Sequence, residues 1–390
     1  MSAEWFELGQ RLHAATSGRL VPRLRHAPLL AGAKPVAVRA TEQGGVVRVS
    51  AAAPGGQPGS GQGLDGLALL AGLGVSLDEP EPATLVTDDP GTLRTLLGLA
   101  RTVAVGCAAD AVAGHIAWWA DRADFPGGGA VADVVAGCRA RWISGQAPKA
   151  EYGAALWRDR LGVGDASVAG VLDVYAQATA GDPLRFLSDL ATDDSFSYDM
   201  ARKAHCDGWD WRRPDQTSRA ACGLRGRCDA ADLYAAALLS DPLWRARSVH
   251  AGSVVVGRIA VDAPATQRVV PVACARLDAR LRAGAEVLWW LGAPGEVPDA
   301  DYTGTVGAGA VVGGQLVLDV KTPFNRPTLK AGDLVTLMPA PPSVHRQHHG
   351  QMVYRKLQYS RRSWLTSGTA PAVRRRSVPL DVLLAGASDD

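Results

Sequence analysis

The sequence predicts a multi-domain α+β protein: an N-terminal α/β region, a helical middle, and a C-terminal small β-barrel with a basic tail. Three observations carry that prediction. Residues 301–339 place Val306, Val311, Val312, Leu316, Leu318 and Val320 in rough alternation with small or polar residues, and Gly313-Gly314 splits them as a hairpin turn does. The polar turn Lys330-Ala331-Gly332-Asp333 then leads into Leu334-Val335-Thr336-Leu337, the pattern of a closing strand. Upstream, strand and helix patterns alternate before 128 and give way to a mainly helical stretch.

Residues 1–128 read as the α/β domain. Trp5, Phe6, Leu8 and Leu12 suit a short helix, and Val36-Ala37-Val38 with Val46-Val47-Val49 form a hairpin around Gln43-Gly44-Gly45. Residues 53–66 (APGGQPGSGQGLDG) have the composition of a flexible loop and no Lys for a phosphate-binding loop. Thr84-Leu85-Val86-Thr87 is a buried strand ending in Asp88-Asp89, and Pro90 introduces a helix over 92–100. A second strand is expected at 102–105 and an amphipathic helix at 110–121.

Residues 129–247 are expected to be a helical domain, with helices at 130–142, 152–161, 168–178, 182–190 and 229–240 and Asp241-Pro242 as a stop. The barrel domain covers 248–340. Its strands fall at 253–261, 268–272 and 287–291 with a helical piece at 275–283, before the hairpin already described. The tail, 341–390, is helical or irregular and basic.

Composition bounds the function classes. Hydrophobic residues at 47% and charged residues at 21% match soluble globular proteins, so the chain can bury sizeable cores. A net charge of +2 exerts no global pull on nucleic acid or membrane, so any such signal has to be local. The opening MSAEWFELGQRL lacks the uninterrupted apolar core of a signal peptide, and apolar runs such as 103–119 are broken by Asp110 and His115. Cysteines 107, 138, 206, 222, 228 and 274 are scattered, which predicts reduced thiols and a cytoplasmic protein. Heavy use of Ala, Gly and Arg with little Lys suits a high-GC bacterial genome.

The tail holds the first candidate site. Residues 334–380 contain no acid but do contain Arg346, Arg355, Lys356, Arg361, Arg362, Arg374, Arg375 and Arg376. Clustered cations attract phosphate backbones by releasing condensed counterions, and Tyr354, Tyr359 and Trp364 are placed to stack on bases. The competing reading is a solvated basic face that docks on the protein through its apolar residues or meets an acidic partner.

Further constellations have a functional and a bland reading each. His205, Cys206, Cys222 and Cys228 lie within twenty-four residues, but their spacing does not match the paired ligands of structural zinc, so no metal is expected. No cofactor is expected either. Asp88-Asp89 sits where α/β enzymes hold metal or ribose, and equally where Asp caps a helix. Asp193, Asp194, Tyr198 and Asp199 read as a polar loop. Trp209, Trp211, Arg212 and Arg213 suit a structural or protein-interface role, through Arg stacked on Trp. No Walker GxxxxGK(S/T), GxSxG or HExxH signature is present.

Thr303-Gly304-Thr305-Val306, Gln315-Leu316-Val317-Leu318-Asp319-Val320 and Leu329-Lys330-Ala331-Gly332-Asp333-Leu334-Val335-Thr336-Leu337 resemble the accessory β-barrel of Upf1-like superfamily 1 helicases. The resemblance covers 250–340 and omits the motor. It implies a motor-less companion that supplies a nucleic-acid surface while a partner, an ATPase, hydrolyses ATP. The expected function is thus a non-catalytic, nucleic-acid-binding accessory subunit of a DNA or RNA transaction complex. The alternatives are a scaffold acting through protein interfaces and an α/β enzyme working near Asp88 and Asp89.

Overall fold

A computed structural model of the chain describes residues 3–213, 217–298, 300–323 and 326–341. The chain divides into one unit of Met1–Arg213 with Arg227–Val344 and another of Pro214–Gly226 with His345–Asp390, and almost all described residues belong to the first. The architecture is α+β and includes a closed six-strand barrel toward the C-terminus.

Helix α1 (Ala3–Ser17) and the two-residue strand β1 (Val21–Pro22) precede the hairpin of β2 (Pro35–Gln43) and β3 (Val46–Ala52). Gly44 and Gly45 turn it, both at positive φ (61° and 78°), the backbone that a two-residue turn matched to strand twist demands. The Gly-rich stretch expected to be a loop instead supplies β4 (Gly59–Gln62), which pairs antiparallel with β3. Its glycines serve close packing, since a Cβ at Gly61 would fall 2.6 Å from the backbone of Asp65 and Gly66 at the start of α2 (Leu64–Gly72).

β5 (Thr84–Thr87), buried throughout, returns on the other side of β2 and runs parallel to it. α3 (Gly91–Arg101) and α4 (Asp110–Arg122) follow. No strand forms at 102–105, where the chain makes a turn and Val103 is buried in the core. The second parallel strand is the three-residue β6 (Val131–Asp133), which runs straight into α5 (Val134–Arg141) inside the stretch expected to be one helix.

The sheet order is β4-β3-β2-β5-β6. Side chains alternate across it as the pleat requires. Val36, Val38, Ala40 and Leu85 face α2, α3 and α4, whereas Ala37, Val86 and Ala132 face the other way. That second face is covered by α5 and, after the short strand β7 (Trp142–Ile143), the partner of β1, by α6 (Ala154–Arg160) and α7 (Val168–Thr179).

α8 (Leu187–Cys206) is a single long helix, so the acids at 193, 194 and 199 and Tyr198 lie on a helix and not in a polar loop. They stay helical because the buried ones are paired. Asp194 accepts from Arg122 Nε and from the Gly129 and Ala130 N–H groups, and Tyr198 Oη donates to carbonyl oxygens of the 76–79 turn. α9 (Thr217–Ser240) begins well before the expected 229. Asp241-Pro242 follows the end of α9 at Ser240, the stop expected there, and also opens α10 (Pro242–His250). Asp241 Oδ1 accepts from the Leu243 and Trp244 N–H groups, and Pro242 occupies the first turn, where its missing N–H costs nothing. Oδ2 of this fully buried carboxylate accepts from the Arg25 and His26 N–H groups and lies 2.8 Å from His26 Nδ1.

The barrel comprises β8 (Val255–Ile259), β9 (Val269–Cys274), β10 (Glu286–Leu291), β11 (Tyr302–Val312), β12 (Gln315–Lys321) and β13 (Leu334–Pro339). They close in the order β10-β11-β12-β9-β8-β13, every neighbour antiparallel. Val255, Val272, Val287, Trp289, Leu318, Val335 and Leu337 are among the residues that fill its interior. The expected helix at 275–283 is absent: the Ala275 and Arg280 N–H groups donate to Val256 and Gly252 carbonyls across the loop. Buried Arg245 of α10 fastens the barrel by donating to the Pro294 and Glu296 carbonyls.

Candidate functional site

The sequence singles out three places, and the structure treats them differently. The barrel comes first because its last strand, β13, directly precedes the basic tail in the sequence. β13 lies between β8 and β10, and the Ala340 N–H donates to Glu286 O at the start of β10 (3.0 Å). The β11–β12 arm leaves the barrel at this same end, since Thr305 faces Glu286 and β11 runs on past it. Arg346, Arg355, Lys356, Arg361, Arg362, Arg374, Arg375, Arg376, Tyr354, Tyr359 and Trp364 all lie outside the described residues.

Local sequence gave no sign of Arg326, which is buried in the barrel's wall. All of its N–H directions are used, and every acceptor is neutral. Nε donates to Thr322 Oγ1 (2.9 Å), Nη1 to the Ala263 and Pro327 carbonyls, and Nη2 to the Pro264 and Gln267 carbonyls. Burial lowers its pKa without displacing its charge, because an arginine starts so high. The residue pins together the loops before β9 and β13.

The second place is the carboxyl edge of the mixed sheet. Strand order reverses between β2 and β5, the kind of position where open α/β sheets hold ligands. Asp89 takes the capping role proposed for the pair, whereas Asp88 is ion-paired within the chain. Asp89 Oδ1 accepts from the Gly91 N–H (2.8 Å) at the start of α3, which is capping. Asp88 is gripped by Arg39 of β2, with Nε 2.8 Å from Oδ1, and by Arg158 of α6 at 3.3 Å. Arg39 also donates to Ala166 O. On the adjacent strand, Asp133 Oδ1 accepts from the Val135 and Ala136 N–H groups and caps α5. Burial raises the Asp133 pKa, against the pull of those same N–H groups and of Arg139. Each carboxylate at this edge is thus bonded within the chain. The sequence points to Asp88 and Asp89 but not to Asp133, nor to Arg39 and Arg158, whose role depends on pairing across 49 and 70 residues.

Among the described residues no group of three or more His, Cys, Asp or Glu side chains converges as metal ligands would. His205 and Cys206 end α8, with His205 Nε2 4.0 Å from Asp78, and exposed Cys228 lies on α9.

The Trp/Arg segment is the third place, and it splits. Trp211 packs against the core of the mixed sheet. Arg212 lies 4.7 Å over its ring and donates to Asp110 (2.9 Å), Asp210 (2.9 Å) and Val103 O (2.9 Å). Both therefore bind their own chain. Trp209, 53% exposed, and Arg213 face solvent.

No helix among the described residues is long and apolar enough to cross a membrane. No protein-family model, no curated protein and no solved structure matches this chain.

Proposed function

We propose that this protein binds nucleic acid without catalysing a reaction on it, as an accessory subunit of a cytoplasmic DNA or RNA transaction complex. One observation carries the reading. From the first residue of β13 onward, the 47 residues from 334 to 380 hold eight Lys or Arg and no acid, interleaved with Tyr354, Tyr359 and Trp364. The closed barrel, whose strand β13 begins this stretch, supports the reading. The resemblance of 250–340 to the accessory barrel of Upf1-like helicases points to an ATPase as the companion. In this reading Arg346, Arg355, Lys356, Arg361, Arg362 and Arg374–Arg376 neutralise phosphates and the aromatic rings stack on unpaired bases.

Fluorescence anisotropy of labelled single- and double-stranded oligonucleotides at low salt tests it. Binding should weaken steeply with salt, and changing Arg355, Lys356, Arg361 and Arg362 to Gln should lower the log–log slope by roughly 3 on a single strand. Absence of binding, or binding indifferent to those four changes, overturns the proposal. A scaffold role through protein interfaces is the second reading, favoured by the exposure of Trp209 and Arg213.

A further inference from the structure

β11 continues past the barrel. Thr305 faces Glu286, and Val306 exchanges backbone bonds with Gly284 and Ala285. From Gly307 to Val312, β12 lies on one side, and on the other no strand among the described residues pairs with it. Gly313 and Gly314 form a two-residue turn at positive φ, so the flanking pair Val312–Gln315 is hydrogen-bonded and Ala310–Val317 is the next such pair. The N–H and C=O groups of Gly309 and Val311 therefore point away from β12, into the open edge. Residues 308–312 are exposed, Val311 at 64% and Val312 at 63%. No residue from 302 to 318 carries a charge. A two-stranded ribbon of this kind is marginal in water on its own.

We infer that this edge is a homodimer contact in which β11 of one copy pairs antiparallel with β11 of a second. An open edge accepts only an extended strand, and the same segment of another copy matches it. With the two-fold axis at Ala310, Gly309 of each copy faces Val311 of the other. Each facing pair then exchanges two N–H···O bonds using the groups already aimed outward. The uncharged stretch brings no like charges face to face, unlike the Lys-guarded edges that block such pairing. Pairing consumes the free edge of both arms, so assembly stops at two copies. A contact of six residues a side falls well short of the roughly 1,600 Å² of a standard interface, which makes the dimer weak and reversible.

Sedimentation velocity on the full chain, from micromolar to roughly millimolar concentration, tests this. The mass should rise with concentration and level at a dimer. Val311→Pro removes an outward N–H while sparing every bond to β12, and should leave a monomer throughout with the thermal midpoint unchanged. Val311→Lys, which sets the two copies' ammonium groups diagonally across the shared ladder on one face, should do the same and covers the case in which the proline variant fails to fold. A chain monomeric at all concentrations, a dimer that survives both substitutions, or growth beyond two copies overturns the inference.

Discussion

Replacing His115 with Phe should flatten the loss of stability that follows acidification. The imidazole is fully buried on α4, with its ring centroid 4.8 Å from Trp119, 5.3 Å from Tyr198 and 5.4 Å from Trp118. Its Nε2 lies 3.4 Å from Ala83 O. Burial pushes the pKa down from 6.5 to about 4, against smaller upward pulls from the backbone at Ser76 and Ala83. The unfolded chain therefore takes up a proton below pH 6.5 that the folded chain refuses until about pH 4. Stability is complete above 6.5 and falls as the pH drops through that window. At about pH 5 the difference amounts to about 2 kcal/mol. Urea unfolding followed by circular dichroism, at about pH 8 and about pH 5, compares the two proteins. Phe fits among these rings and cannot titrate, so the wild type should lose about 2 kcal/mol more than the variant between the two conditions. Parallel losses would refute the reasoning, whatever the variant's absolute stability.

Two other substitutions follow from the packing. Arg326→Met leaves the carbonyls of Pro264, Gln267 and Pro327 in the barrel wall without their donor, and should lower barrel stability by about 3 kcal/mol or more in thermal melts. Arg326→Lys, with three donors, should fall between that variant and the wild type. Trp211→Ala should cost about 3 kcal/mol through the cavity it opens beside α4, whereas Trp209→Ala should stay within about 0.5 kcal/mol; equal effects would contradict the inward and outward placement of the two rings.

The parts of the fold that were legible in the sequence are those whose cause is local. The β2–β3 and β11–β12 hairpins announce themselves because a glycine pair is nearly obligatory where two successive residues take positive φ. The closing strand β13 is legible because its apolar run follows a polar turn. β4 was hidden since its glycines, read as looseness, are there to admit α2. β6 was hidden because three residues of strand leave no period before α5 begins. The acids of α8 suggested a loop only while Arg122 and the 129–130 backbone were unknown as their partners. At the carboxyl edge of the sheet, Asp88 was visible and its two arginines were not, because strand β2 and helix α6 meet it only after folding. The basic tail is a matter of composition, and composition is all that the sequence offers for it.

The N-terminal segment is secured by residues that come very late in the chain. Arg25 and His26 donate to Asp241, and Glu7 accepts from Arg247, contacts that span 215 to 240 positions. Synthesis at about 5–20 residues per second separates the emergence of these partners by roughly 10 to 50 s. Until α10 appears, α1 waits with Trp5, Leu8 and Leu12, the apolar side chains that stay exposed even in the finished fold, open to other binders. The contacts between α1 and α10 can thus form only once residues 241–247 have been made, and any chaperone that attends the chain has that interval in which to act.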